Sequence, residues 1–321
     1  MALDISILYR GELSGCNYAC GYCPFAKRTD EPAHLRVDQS QVERFVSWVK
    51  GRRHDRLGVF FTPWGEALVR PWYQDALVSL SRLPHVERVA IQTNLSCRLD
   101  WVEDVDRAAL GLWCTYHPGQ VTRDEFLSQC QRLDRVGVRY SVGVVGLREH
   151  FAEIEALRLV LAPEVYLWVN AYKRQPDYYQ EDEIDWLAAI DPLFELNNQR
   201  YRTRGRACRA GETVVSVDGA GHIRRCHFIN QCLGNLYQDG WESVLAARDC
   251  TNEQCGCHIG YIHLKELDLY RLYGHGLLDR SVDGTPKREQ ARDRVVRFQT
   301  SLPTPLTHHG EPIGRSARRG W

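Results

Sequence analysis

No stretch of this 321-residue sequence reaches about eighteen uninterrupted apolar residues, which argues against a membrane-spanning helix. The N-terminus, MALDISILYRGELSGC, lacks the basic-then-apolar order of a secretory signal, so a soluble, cytoplasmic protein is expected. Net charge is also missing. Lys plus Arg (41) balances Asp plus Glu (41), leaving no global field to draw in nucleic acid or an anionic membrane. Phosphate-loop, H-E-x-x-H, G-x-S-x-G and G-x-G-x-x-G signatures are absent, as are fixed-period repeats, so the common motif-bearing hydrolases and nucleotide binders receive no support. Hydrophobic residues (44%) suffice for a real core, and the length suits one large domain of about 200 to 250 residues with a small appendage.

Cysteine is abundant. Twelve are present, and in a reducing compartment tightly spaced thiols serve metals or catalysis more often than disulfides. Cys16, Cys20 and Cys23 crowd near the start, and Cys208, Cys226, Cys232, Cys250, Cys255 and Cys257 follow position 205. Cys97, Cys114 and Cys130 stand apart and read as small buried hydrophobes.

Between the two groups, short β-branched or aromatic runs alternate with segments of helical period, the pattern of βα units around a parallel sheet. Six strands are expected at 5–9, 57–62, 89–93, 112–117, 139–145 and 165–171. Helices are expected at 41–50, with Asp38 as N-cap, and near 72–83, 122–136, 148–161 and 183–190. Six units are two short of a closed eightfold barrel. The expected fold is therefore α/β, a partial (β/α)6 TIM-type barrel over 1–199 with its chemistry at the C-terminal strand ends. Residues 200–275 then form a small cysteine-rich α+β region. It holds a hairpin, with strands at 212–217 and 222–226 about the turn Asp218-Gly219-Ala220-Gly221, a short helix near 241–247 and an amphipathic segment at 261–272. Residues 276–321, with prolines, scattered arginines and little periodicity, read as a flexible tail.

The loop Cys16-Asn17-Tyr18-Ala19-Cys20-Gly21-Tyr22-Cys23 places three thiols directly after the first expected strand. A cuboidal iron-sulfur cluster needs four ligands, so three from the loop would leave one iron open. Zinc is the alternative, but only one C-x-x-C is present in this loop. The C-x3-C-x2-C spacing at a strand end resembles the radical SAM superfamily, with Tyr22 as the aromatic residue before the third cysteine. That resemblance implies a [4Fe-4S] cluster on Cys16, Cys20 and Cys23, and S-adenosylmethionine (SAM) chelated to its open iron. It also implies a 5'-deoxyadenosyl radical that abstracts hydrogen from the substrate. Phe61-Thr62-Pro63-Trp64-Gly65-Glu66 is similar to the family's G-G-E-P turn, with Trp64 in place of the first glycine, so Gly65 and Glu66 would meet the methionine moiety. Thr93 and Asn94 match the segment near the ribose, where Leu95 stands in the usual glycine position. Val144 and Gly146, followed by Glu149, resemble the family's adenine platform. His117 carries no assignment.

Cys208 and Cys226 flank the hairpin, and with Gly221 they resemble the opening of a SPASM or twitch region, which implies one auxiliary [4Fe-4S] cluster. The ligand set expected is Cys208, Cys226, Cys255 and Cys257, with Cys250 in reserve and Cys232 unligated. A zinc knob would suit four cysteines around a hairpin as well. The function expected is a radical SAM oxidoreductase or maturase acting on a small molecule or peptide and fed by a donor such as flavodoxin or ferredoxin. The auxiliary cluster would transfer electrons or anchor substrate. Two other readings remain: a non-catalytic iron-sulfur or zinc relay, and an RNA-modifying radical SAM enzyme suggested by the basic tail and the link RYRTRGRAC.

Overall fold

The computed structural model describes residues 2–25 and 28–301. In chain order the barrel elements are β1 (Asp4–Arg10), α1 (Pro32–Gly51), β2 (Arg56–Phe61), α2 (Pro71–Ser81), β3 (Val86–Thr93), β4 (Leu110–Tyr116), α3 (Arg123–Val136), β5 (Arg139–Val145), α4 (Phe151–Val160), β6 (Leu167–Asn170), α5 (Glu181–Ile190) and α6 (Phe194–Asn197). The remaining elements are β7 (Tyr201–Arg202), β8 (Ala207–Cys208), β9 (Val214–Asp218), β10 (His222–Arg224), β11 (Cys232–Asn235), β12 (Arg248–Asp249), β13 (Gln254–Cys255), α7 (His258–Tyr261), α8 (Leu269–Tyr273) and α9 (Arg288–Thr300). The six expected strands all form, close to their expected bounds, and pair in sequence order as a parallel sheet. The fold is a partial TIM-type barrel. Among the described residues no helix is long and apolar enough to cross a membrane.

Strand side chains alternate between two layers. Outward, Tyr9 and Phe61 pack with Phe45 of α1 and Tyr73 of α2, the Tyr9 and Phe45 rings stacking at 4.4 Å. Inward, Leu8, Phe60, Ala90, Trp113 and Trp168 form a second cluster. Gly143 is needed here because a Cβ would meet the Trp168 ring at 2.1 Å. The inward layer is covered by the C-terminal third of the chain, where His258 stands 5.3 Å from Trp113 and Arg280 lies 4.1 Å over Trp168.

Some expectations change. Helix α1 begins at Pro32, and Asp38 sits inside it, fully buried, accepting from the Leu13 amide, Trp72 Nε1 and the Tyr73 hydroxyl. An acid ahead of an apolar run reads locally as an N-cap, but here the partners are distant in sequence. The segment 261–272 is broken rather than one amphipathic helix, because Asp268 takes a left-handed φ of 48° between a short 3-10 turn and α8. Region 200–275 does not stand apart: β9 pairs in parallel with β1, and the β9–β10 hairpin continues the barrel sheet.

The flexible tail expected at 276–321 is ordered as far as residue 301; the remainder lies outside the described residues. Asp279, fully buried, closes the N-terminal end of the barrel. It accepts from Arg139 Nε at 3.1 Å and lies 3.8 Å from Arg88 Nε, while its carbonyl takes the Ser141 hydroxyl at 2.6 Å. Gly111 leaves the room, since a Cβ there would meet Asp279 at 2.5 Å. Helix α9 then docks by Phe298 on Tyr201 and by Arg288 and Arg292 on Glu195. Charge-rich periodicity hid this helix in the sequence. Asp279→Ala strands two arginines in the barrel floor, and a loss of about 3 kcal/mol is expected in urea unfolding. A change within about 0.5 kcal/mol would show that the floor does not depend on the pair.

Candidate functional site

The loop after β1 is clamped by two carboxylates. Asp30 accepts from the amides of Ser14 (3.0 Å) and Gly15 (2.7 Å), and Asp38 takes the Leu13 amide. The loop then rests on the turn after β2, where Gly65 is so close that a Cβ would fall 1.7 Å from the Gly15 carbonyl oxygen. The Glu66 amide donates to the same oxygen at 3.2 Å. Only glycine permits that contact. Its neighbour Trp64 is compatible with it, because the indole lies under the Arg10 guanidinium at 4.1 Å and beside Phe25 at 4.6 Å.

Glu66 is buried and ties the strand ends together. It accepts from Thr93 Oγ1 (2.8 Å), the Asn94 amide (2.5 Å) and the Leu68 amide (3.0 Å). Burial pushes its carboxyl up to about 7. Asn94 Nδ2 reaches Asn17 Oδ1 at 3.1 Å and Cys16 Sγ at 3.8 Å, joining the β3 end to the cysteine loop. Leu95 holds a φ of 59°, a conformation disfavoured for a branched residue, while its side chain is fully buried.

Cys20 is buried, with Cys16 and Cys23 half-buried around it. The Tyr18 amide donates to Cys16 Sγ at 3.4 Å, and burial raises the Cys16 thiol. His117, unassigned from sequence, belongs here: its Nδ1 is 2.8 Å from the Tyr22 hydroxyl and 3.4 Å from Cys20 Sγ. Burial lowers its imidazole to about 4, so it is neutral at pH 7. Its position at the C-terminal end of β4 was the available signal. Val144, by contrast, turns into the outer helix layer, so only its backbone could serve a ligand. Gly146 packs under the Tyr179 hydroxyl, which donates to its carbonyl at 2.6 Å.

In the second cysteine region the structure brings together Cys208, Cys226, Cys250 and Cys255 around one cavity, with Phe228 and Ile229. Cys250 lines this cavity and Cys257 does not. Strand β12 pairs with β8 so that Arg248 faces Cys208, and the Cys250 amide then donates to the Arg206 carbonyl at 2.9 Å. Cys257 lies beyond this, exposed at the start of α7, and Cys232 is exposed on β11. Burial pushes the Cys226 thiol up to about 11. The Arg225 guanidinium beside it pulls the other way and is anchored on the Asp249 and Arg248 carbonyls. Cys97, Cys114 and Cys130 are buried in the outer core.

Among the described residues no three Cys, His, Asp or Glu side chains stand close enough to hold one metal ion. A single zinc draws its thiolates to about 2.3 Å. A polynuclear cluster instead offers separate corners to its ligands.

No family model and no curated protein matches the chain. Among solved structures, it is similar to anSMEcpe with bound AdoMet at 14% identity, covering 92% of this chain and 92% of that chain with a TM-score of 0.49. Similarity to anSMEcpe with bound AdoMet and Kp18Cys peptide is 12% identity over 91% of this chain and 95% of that one, TM-score 0.49. BtrN in complex with AdoMet and 2-DOIA matches at 16% identity over 76% of this chain and 86% of that one, TM-score 0.38.

Proposed function

We propose that this chain is a radical SAM enzyme. The observation that carries the reading is the three-thiol loop seated, through the contact of Gly65 with Gly15, on a buried Glu66-Thr93-Asn94 network. Cys16, Cys20 and Cys23 would hold a [4Fe-4S] cluster with one iron open, and SAM would bind it. Bound together, the two supply reductive sulfonium cleavage and a 5'-deoxyadenosyl radical that takes hydrogen from a small molecule or peptide.

The residues do the positioning. Glu66 presents a carboxylate for the SAM ammonium once a cation lowers its pKa, and Thr93 and Asn94 fix its two oxygens. The segment from Val144 to Gly146 lies at a strand end, where an adenine would pack against it; the Gly146 amide donates to the Asn170 carbonyl and the Gly146 carbonyl accepts from the Tyr179 hydroxyl. Tyr22 and His117 meet beside the cluster loop, with His117 against Cys20. Cys208, Cys226, Cys250 and Cys255 would hold an auxiliary [4Fe-4S] cluster. Four thiols leave no open iron, which favours electron transfer over substrate anchoring. A flavodoxin or ferredoxin would supply the reducing electron.

The test is 5'-deoxyadenosine release from the reconstituted, dithionite-reduced protein given SAM. Its complete absence, with a cluster present by Mössbauer spectroscopy, would favour a non-catalytic relay. The auxiliary ligands separate by single variants. Cys250→Ala is expected to remove about four irons and Cys257→Ala none; the reverse pattern would restore Cys257 as the ligand.

A further inference from the structure

Arg10 ends β1 on the same face as Leu8, toward the inside of the barrel. Its Nε donates to the Thr62 carbonyl at 2.7 Å and its plane rests on Trp64, so the guanidinium is fixed while its two terminal amino groups donate to nothing among the described residues. Neither is sealed from solvent. Lys173 follows β6, the edge strand of the barrel sheet, and its ammonium is held by the carbonyls of Asn197 and Gly256, which leaves one N–H. Cys257, next to Gly256, has Lys173, Arg10 and Arg280 as neighbouring cations. Arg280 is balanced by Asp191 and covered by Trp113 and Trp168. Among the described residues no carboxylate pairs with Arg10 or Lys173.

Arg10 and Lys173 both neighbour Cys257, and half-buried cations without a carboxylate partner disfavour the empty protein, so such groups persist where a ligand supplies the anion. Burial lowers Arg10 to about 10 and Lys173 to about 8, yet both remain charged at pH 7. An arginine fork backed by an indole, together with a lysine point charge, suits carboxylate or phosphate oxygens.

We infer that Arg10 and Lys173 form an anion site in the barrel lumen that binds a carboxylate or phosphate group of the substrate. The word substrate rests on the radical SAM reading; anion binding itself does not. SAM carries a carboxylate too, so the test has two arms.

In the first arm, inorganic phosphate is titrated against sodium chloride at constant ionic strength, and thermal unfolding is followed in the full-length protein. Wild type and Arg98→Gln, which removes an exposed surface charge, should show the same saturable rise in Tm, with the apparent phosphate affinity about tenfold weaker in Arg10→Gln/Lys173→Gln. An equal response in the double variant, or none in wild type, overturns the site. Should the double variant lose its cooperative transition, Arg10→Gln alone is read the same way. In the second arm, equilibrium SAM binding to the reconstituted protein should change by less than about threefold in the double variant. A loss of about tenfold or more would assign the anion to SAM and overturn the substrate assignment. Wild type that neither binds nor cleaves SAM would instead defeat the radical SAM reading, whatever phosphate does.

Discussion

Replacing Cys16, Cys20 and Cys23 together by alanine is expected to reduce 5'-deoxyadenosine release to background and to lower bound iron from about eight to about four per chain. The remaining iron should keep the spectroscopic signature of the auxiliary site, because Cys208, Cys226, Cys250 and Cys255 line a cavity that shares no residue with the first loop. The fold should survive. Asp30, Asp38 and Gly65 hold the loop through its backbone, and none of those contacts uses a thiol. Iron and sulfide analysis with Mössbauer spectra, on anaerobically purified wild type and variant, checks this directly. Four irons falling to none would leave a single-cluster protein whose C-terminal cysteines hold something else. Eight falling to none would mean that the two sites are not independent.

The barrel was legible because each strand run carries its own signal and neighbours in sequence are neighbours in space. The capping box of α3, with Thr122 and Glu125, is a local device of the same kind. The C-terminal third was less legible because its partners are far away. Asp279 meets Arg88 and Arg139, and β9 meets β1, through pairings that no local window contains. The position of Cys250 has the same origin: the β8–β12 register, which no local window contains, sets it beside Cys208 on the cavity. Gly65 and Glu66 were visible as a motif, but the reason for the glycine, a carbonyl 1.7 Å from any Cβ, was not. Leu95 shows the converse. A residue in a slot that favours glycine keeps the left-handed backbone, with burial of its side chain offsetting some of the strain.

Glu66→Gln is expected to weaken SAM binding by about tenfold or more at pH 8 and to remove the pH dependence of that binding. The wild-type carboxyl titrates near 7, raised by burial above the usual 4.5, so the folded protein holds a proton between those values that the unfolded chain has released. The stability from this group is present below about 4.5 and is lost as the pH rises through about 7, up to about 3 kcal/mol in all. Unfolding of wild type should therefore show that slope, and the variant should not. Tyr18 and Cys97, which lie near Glu66, have raised pKa values and stay neutral across this range, so they do not mask it. A bound ammonium favours the carboxylate, hence SAM binding at pH 6 should release protons and weaken by up to about tenfold per pH unit below 7. Calorimetry in two buffers of different ionisation enthalpy measures that release. Equal heats in both buffers, with unchanged affinity in Glu66→Gln, would remove Glu66 from the SAM site and leave it as the clip that holds Thr93 and Asn94 against the cysteine loop.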